Sequence, residues 1–170
     1  MSPSQSVSSV ASSRLSFRLH NDPELIAPLV TMLQEELGDT GVCDDNTRDR
    51  VGVALQEALS NAMFHGNLEV SSELRQDDES LFYAEVNKRR RMAPYRNRII
   101  QVFAEVDRDA AKYCIRDEGP GFDTTTLDLP FDPESLTRVG GRGMILIRTF
   151  MDEVKHNKTG NEVVMVKRRK

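Results

Sequence analysis

The sequence predicts an α+β domain, a sheet with helices on one face. Three observations predict it. Alternating or β-rich runs recur at residues 14–20, 98–106 and 111–117 and twice near the C-terminus. Stretches with helical periodicity lie between them. The runs at 98–106 and 111–117 are separated only by "DRDA", which is short enough for a hairpin.

Size and composition set the frame. A chain of 170 residues, 38% hydrophobic and 29% charged, fits one domain with a real core. A net charge of −4 excludes a surface that is nucleic-acid footprint throughout. Cys43 and Cys114 match no metal spacing and make no disulfide framework, so both read as free thiols. No apolar run is long enough to span a bilayer. The start, "MSPSQSVSSVASS", lacks the basic and apolar regions of a signal peptide and is poor in hydrophobics. Residues 1–13 are therefore expected to be a disordered tail and residues 14–170 the domain. A cytoplasmic protein with no membrane and no direct nucleic-acid contact is expected.

The elements follow in order. "RLSFRLH" alternates and reads as a strand. Asn21 or Asp22 then caps a helix with Pro23 in its first turn, running to about Gly38, with a kink expected at Pro28. "DDNTRD" offers N-caps for the next helix, with Gly66 as its C′ residue. Residues 68–97 are polar, with one helix expected in "DDESLFYAEVNKRRRMA". After the hairpin come "EGPGFD", a Pro- and Asp-rich loop through Arg138, and "GGRG". The helix "MILIRTFMDEV" and two strands, around "EVKHN" and "EVVMVKR", close the chain.

Three places carry chemistry. On the second helix Val51, Ala54, Leu55, Ala58, Leu59 and Ala62 form one apolar arc, and Glu57 and Asn61 lie together beside it. They line a pocket edge or form a half-exposed polar pair. In "AKYCIRDEGPGFD" alternation puts Tyr113, Ile115 and Asp117 on the core face. An inward carboxylate beside Gly119 and Gly121 suits the amino group of a purine, or else caps a Gly-Pro turn. Gly140, Gly141 and Gly143 directly precede an apolar helix. Free amides there suit phosphate, or the glycines are only a flexible loop end. Neither the Walker loop nor the dinucleotide fingerprint is present.

An E-x-x-x-N helix ending in "HGN", a strand ending in D-x-G-x-G, and a glycine pair opening a helix occur in that order. Together they resemble the GHKL ATPase superfamily over residues 15–170. "SNAMFHGN", "IRDEGPGFD" and "GRGMILIRTFMDEV" resemble most closely the anti-sigma-factor serine/threonine kinases of bacterial partner-switching systems. The resemblance implies a two-layer α/β sandwich with a mixed, mostly antiparallel sheet, the Bergerat ATP-binding fold. It implies ATP and Mg²⁺ as cofactors, with Asn61 on the metal, Glu57 as general base and Asp117 on the adenine amino group. Gly119 and Gly121 would shape the adenine pocket. Gly141 and Gly143 would face the triphosphate, with Arg142 neutralising phosphate charge. Residues 123–138 would be a lid. The implied partners are a sigma factor and an anti-anti-sigma protein, the phosphoryl acceptor; the oligomeric state stays open between monomer and homodimer.

Two departures from the family stand out. The threonine that supports the adenine-binding aspartate is absent, and Asn161 or Thr159 takes its place. Residues 68–97 are longer than in compact members, and "NKRRRM" there is a solvated face or a docking surface. One rival reading is an ATP-gated binding module without phosphotransfer. The other, a histidine-kinase catalytic domain, is disfavoured by only three histidines, His20, His65 and His156, and by the lack of a preceding helical hairpin.

Overall fold

The computed structural model describes residues 12–128 and 139–170. Its frame is a five-stranded sheet in the order β1-β2-β3-β5-β4. The strands are β1 (Ser13–Leu19), β2 (Ile100–Val106), β3 (Ala110–Arg116), β4 (Glu153–His156) and β5 (Glu162–Arg168). All four pairings among the described residues are antiparallel, so the sheet there is not the mixed one expected. The expected hairpin forms between β2 and β3, with Asp107 Oδ1 accepting from the Asp109 and Ala110 amides.

Alternation sorts the two faces of the sheet. Val102, Ala104, Val106, Ala111, Tyr113, Ile115, Val163 and Met165 are buried on the helix side. Arg14, Arg18, Glu105, Lys112 and Arg116 are exposed on the other. The covering helices include α1 (Ile26–Thr40) and α2 (Asp45–Ser60). Leu33, Leu37, Leu55 and Leu59 are fully buried between helices and sheet. Each such burial stabilises the fold by about 1.5–3 kcal/mol.

The helix boundaries correct several expectations. Asp22 caps a short 3₁₀ turn, Pro23–Leu25, and α1 starts only at Ile26. Pro28 thus falls in the first turn, where its missing N–H has no partner to lose, and the kink expected there has no cause. α1 runs past Gly38 to Thr40, and Gly41 at φ 68° ends it. α2 starts behind Asp44, whose carboxylate accepts from the Thr47 amide, and continues into a π-helical segment, Asn61–Asn67. Gly66 lies inside that segment and is not the C′ residue.

Where one helix was expected in residues 68–97 there are two, α3 (Ser72–Asp77) and α4 (Glu79–Arg89). Asp78 divides them: its extended backbone interrupts the winding while its carboxylate caps α4. α5 (Val139–Phe150) begins ahead of Gly140, Gly141 and Gly143, so these glycines form its first turns rather than a loop before it. It ends at Phe150, and the "DEV" assigned to it lies in and just before β4. Of the expected tail, residues 1–11 lie outside the described residues, as do 129–138 of the expected lid. Ser13 already belongs to β1.

The "NKRRRM" run is only partly a solvated face. Arg89 pairs with Glu85 at 2.7 Å and donates to the Leu68 carbonyl at 3.0 Å. Arg90 pairs with Asp22 at 3.3 Å. Arg89 and Arg98 both lie over the Tyr95 ring. Two of the arginines therefore anchor the α3–α4 insertion to the body of the domain.

Candidate functional site

The apolar arc of α2 is buried as its periodicity requires, with Val51, Leu55 and Leu59 fully covered. Glu57 and Asn61 sit half-buried at its edge, where α2 meets α5. A Cβ on Gly143 would stand 2.5 Å from Glu57 Oε2 and 3.7 Å from Asn61 Nδ2. Glu57, Asn61 and Gly143 therefore converge, and glycine is what lets α5 lie against the two polar side chains. Gly141 and the exposed Arg142 belong to the first turn of the same helix.

Beyond Ser60 the helix widens. Leu68 N–H bonds to Met63 O at 3.0 Å, the i→i+5 pattern of π winding. This segment buries Ala62, Met63 and Phe64 and brings His65, Gly66 and Asn67 towards the end of β3.

At that end Asp117 points inward and is 7% exposed. Its N–H bonds to Asn161 O at 2.9 Å, and Asn161 Nδ2 donates back to Asp117 O at 3.4 Å. Asn161 thus supports Asp117 through the backbone, which answers the missing threonine. Asp117 Oδ1 accepts from Gly119 N–H at 2.8 Å. A Cβ on Gly66 would overlap the Asp117 carboxylate, and one on Gly119 would overlap Gly66 O. Gly121 has φ +77° and lies so close to Thr159 O that any side chain would collide with it. Gly160, at φ +82°, packs in turn against Phe122. The two turns interlock.

Burial pushes the Asp117 carboxyl up to about 6, against the opposing pull of the Gly119 amide and the Arg98 charge. His65 Nδ1 lies 2.7 Å from Val70 O, so it carries the proton and Nε2 is left as an acceptor in the neutral ring. Burial holds the His65 and His156 rings below the ordinary histidine range. His156 packs edge-on to Phe122 at 5.5 Å.

A cavity of about 310 Å³ joins these parts, within the range of small-molecule sites. Asn61, Asp117 and Gly121 line it, and Ala58, Ile115, Ile147 and Val163 form apolar walls. Gly119 packs against Gly66 and the Asp117 carboxylate, and Glu57 and Gly143 adjoin Asn61. His65, Phe122 and His156 also line the cavity and were not singled out from sequence. His65 was within reach of that reading, since it stands one helical turn beyond Asn61.

Such a cavity can take a flat base with an amino group against Asp117 and extend a polar chain towards Asn61 and the start of α5. A comparison with curated proteins gives no match. The family model for the histidine kinase-like ATPase domain matches residues 19–167, nearly the whole chain. With that match and an α+β architecture to accompany it, the chain belongs to the histidine kinase-like ATPase domain family, which supports ATP binding.

Proposed function

We propose that the chain is an ATP-dependent protein serine/threonine kinase, acting as an anti-sigma factor that phosphorylates an anti-anti-sigma protein in the cytoplasm of a bacterium. The observation that carries this reading is the meeting of Glu57 and Asn61 at Gly143, beside a cavity that Asn61 and Asp117 both line. The boxes around these residues supply the likeness to anti-sigma-factor kinases. No helix of the described residues is long and apolar enough to cross a membrane.

In this reading Asp117 accepts from the adenine amino group and the cavity walls hold the ring. Asn61 offers a carboxamide oxygen, which fits Mg²⁺, a cation held by few protein oxygens together with phosphates. When bound, that ion would neutralise charge on the β- and γ-phosphates. Glu57 takes the proton of the incoming serine or threonine hydroxyl. The hydroxyl oxygen bonds to the γ-phosphorus, the bond from γ-phosphorus to the bridging oxygen breaks, and ADP leaves with that oxygen.

One observation favours the other reading, an ATP-gated binding module. Glu57 adjoins α5 and is not among the residues lining the cavity. Incubation with γ-labelled ATP, Mg²⁺ and an anti-anti-sigma protein separates the two. Label on a serine or threonine of that protein is expected; ATP binding with no label transferred would leave only the switch.

The Asp117 assignment has its own test in pH. With a carboxyl at about 6, acidification below that value protonates the acceptor the amino group needs. The ratio of ATP to ITP affinity should fall about tenfold per pH unit below about 6. Phosphate titration, common to both nucleotides, cancels in the ratio. A ratio that stays flat from neutral pH to about pH 5 would remove Asp117 from the base contact.

A further inference from the structure

Asn67 closes the π-helical segment and is fully buried. Its Oδ1 accepts from Glu118 N–H at 2.7 Å, and its Nδ2 donates to Asn21 Oδ1 at 2.9 Å. Its carbonyl accepts from Arg98 Nη1 at 2.9 Å. Asn21, itself 5% exposed, is fixed by donating to Tyr95 O and Arg98 O, both at 3.0 Å. The Asn67 side chain is thus held before it reaches Glu118.

The bond to Glu118 N–H lands on the peptide that joins Asp117 to Glu118. The carbonyl of that same peptide accepts from Asn161. Two asparagines from opposite sides of the sheet end therefore set one peptide plane, and with it the direction in which the Asp117 carboxylate points. Gly66, directly before Asn67, makes room for that carboxylate. Among the described residues, none of these bonds involves Glu57 or Gly143.

We propose that Asn67 is a positioning residue which, anchored by Asn21, orients Asp117 and so sets discrimination for a 6-aminopurine over a 6-oxopurine. The proposal rests on the adenine-pocket reading above. Without the Asn67 carboxamide the Glu118 N–H loses its acceptor and the peptide is free to turn. Asp117 then meets the amino group at a poorer angle, while the triphosphate end is unchanged. Hydrogen bonds weaken steeply as their angle closes.

The experiment compares Mg·ATP with Mg·ITP binding by calorimetry for wild type, Asn67→Ala and Asn21→Ala, with thermal melts to establish folding. Wild type should prefer ATP by about 10² or more, as sites built around a polar contact do. In Asn67→Ala the ATP-to-ITP ratio should fall about tenfold or more, since orientation carries most of a hydrogen bond's discrimination. ITP affinity and the enhancement of ATP binding by Mg²⁺ should hold steady, which general destabilisation would not produce. If Asn67→Ala does not fold, Asn21→Ala decides, and its ratio should fall in the same direction by a smaller factor. A folded variant that keeps the wild-type ratio, or loses ATP and ITP affinity equally, overturns the proposal. A wild type without preference between the two nucleotides would defeat the adenine-pocket reading itself, and the proposal with it.

Discussion

Glu57→Ala is expected to bind Mg·ATP as tightly as wild type or slightly more so, and to transfer phosphate about 10²–10⁴ times more slowly. Glu57 stands one helical turn before Asn61, and both reach the same point on α5. A carboxylate there repels a triphosphate, so removing it does not weaken binding. Its use is in taking the hydroxyl proton, a contribution made only as the new bond forms. The side chain is half-buried and at the edge of the α2 arc, so alanine leaves the core intact. Nucleotide affinity and single-turnover transfer, measured on the same variant, give the answer. Transfer at the wild-type rate would remove Glu57 as the base and leave its contact with α5 as a packing feature.

Asp117→Asn should have two effects of opposite sign. The first is loss of ATP affinity by about 10² or more. Oδ1 of Asp117 already accepts from the Gly119 amide, so an asparagine keeps its oxygen there and turns its NH₂ to the cavity. Two donors then face each other where a donor met a carboxylate. Unchanged affinity by calorimetry would sink the adenine assignment.

The second effect is a more stable protein. In the folded state the Asp117 carboxyl is raised from 3.8 to about 6 by burial. The fold therefore holds this proton more tightly than the unfolded chain does. Stability falls as pH rises through that window, and above about 6 the full cost is present, on the order of 2–3 kcal/mol. Asparagine carries no such cost. The variant should melt several degrees higher than wild type at pH 7.5, with the gap closing as pH falls towards 4. A melting gap that does not change with pH would mean that the charge is not what destabilises the site.

The features legible in sequence are those written in a regular period. The buried arc of α2 and the inward Asp117 follow from spacings of 3.6 and 2, and the structure buries each residue the spacing selects. The boxes contain Asn61, Asp117 and Gly121, which all line the cavity. Three things were not legible, each because its cause lies far along the chain. Gly66 has the look of a helix terminator, yet it is glycine because Asp117 needs its space. Asn21 reads as a helix cap and Asn67 as the end of the HGN box, but their bonds span 46 and 51 positions. The arginines at 89 and 90 form a charge run in sequence, while the Leu68 carbonyl and Asp22 that hold them are set by tertiary packing. The π winding itself has no composition signature.

The interlocked turns at Gly121 and Gly160 bear on when the site comes into being. Asp117 takes its backbone partner from Asn161, and the turn after it closes on Thr159. Both partners lie just before β5, which pairs with β3 at the centre of the sheet. A nascent chain that has released everything up to β4 holds all three boxes and still has no base pocket. The site is completed only when β5 docks, so nucleotide affinity reports arrival of the last strand, and a chain stalled before residue 161 would be blind to ATP.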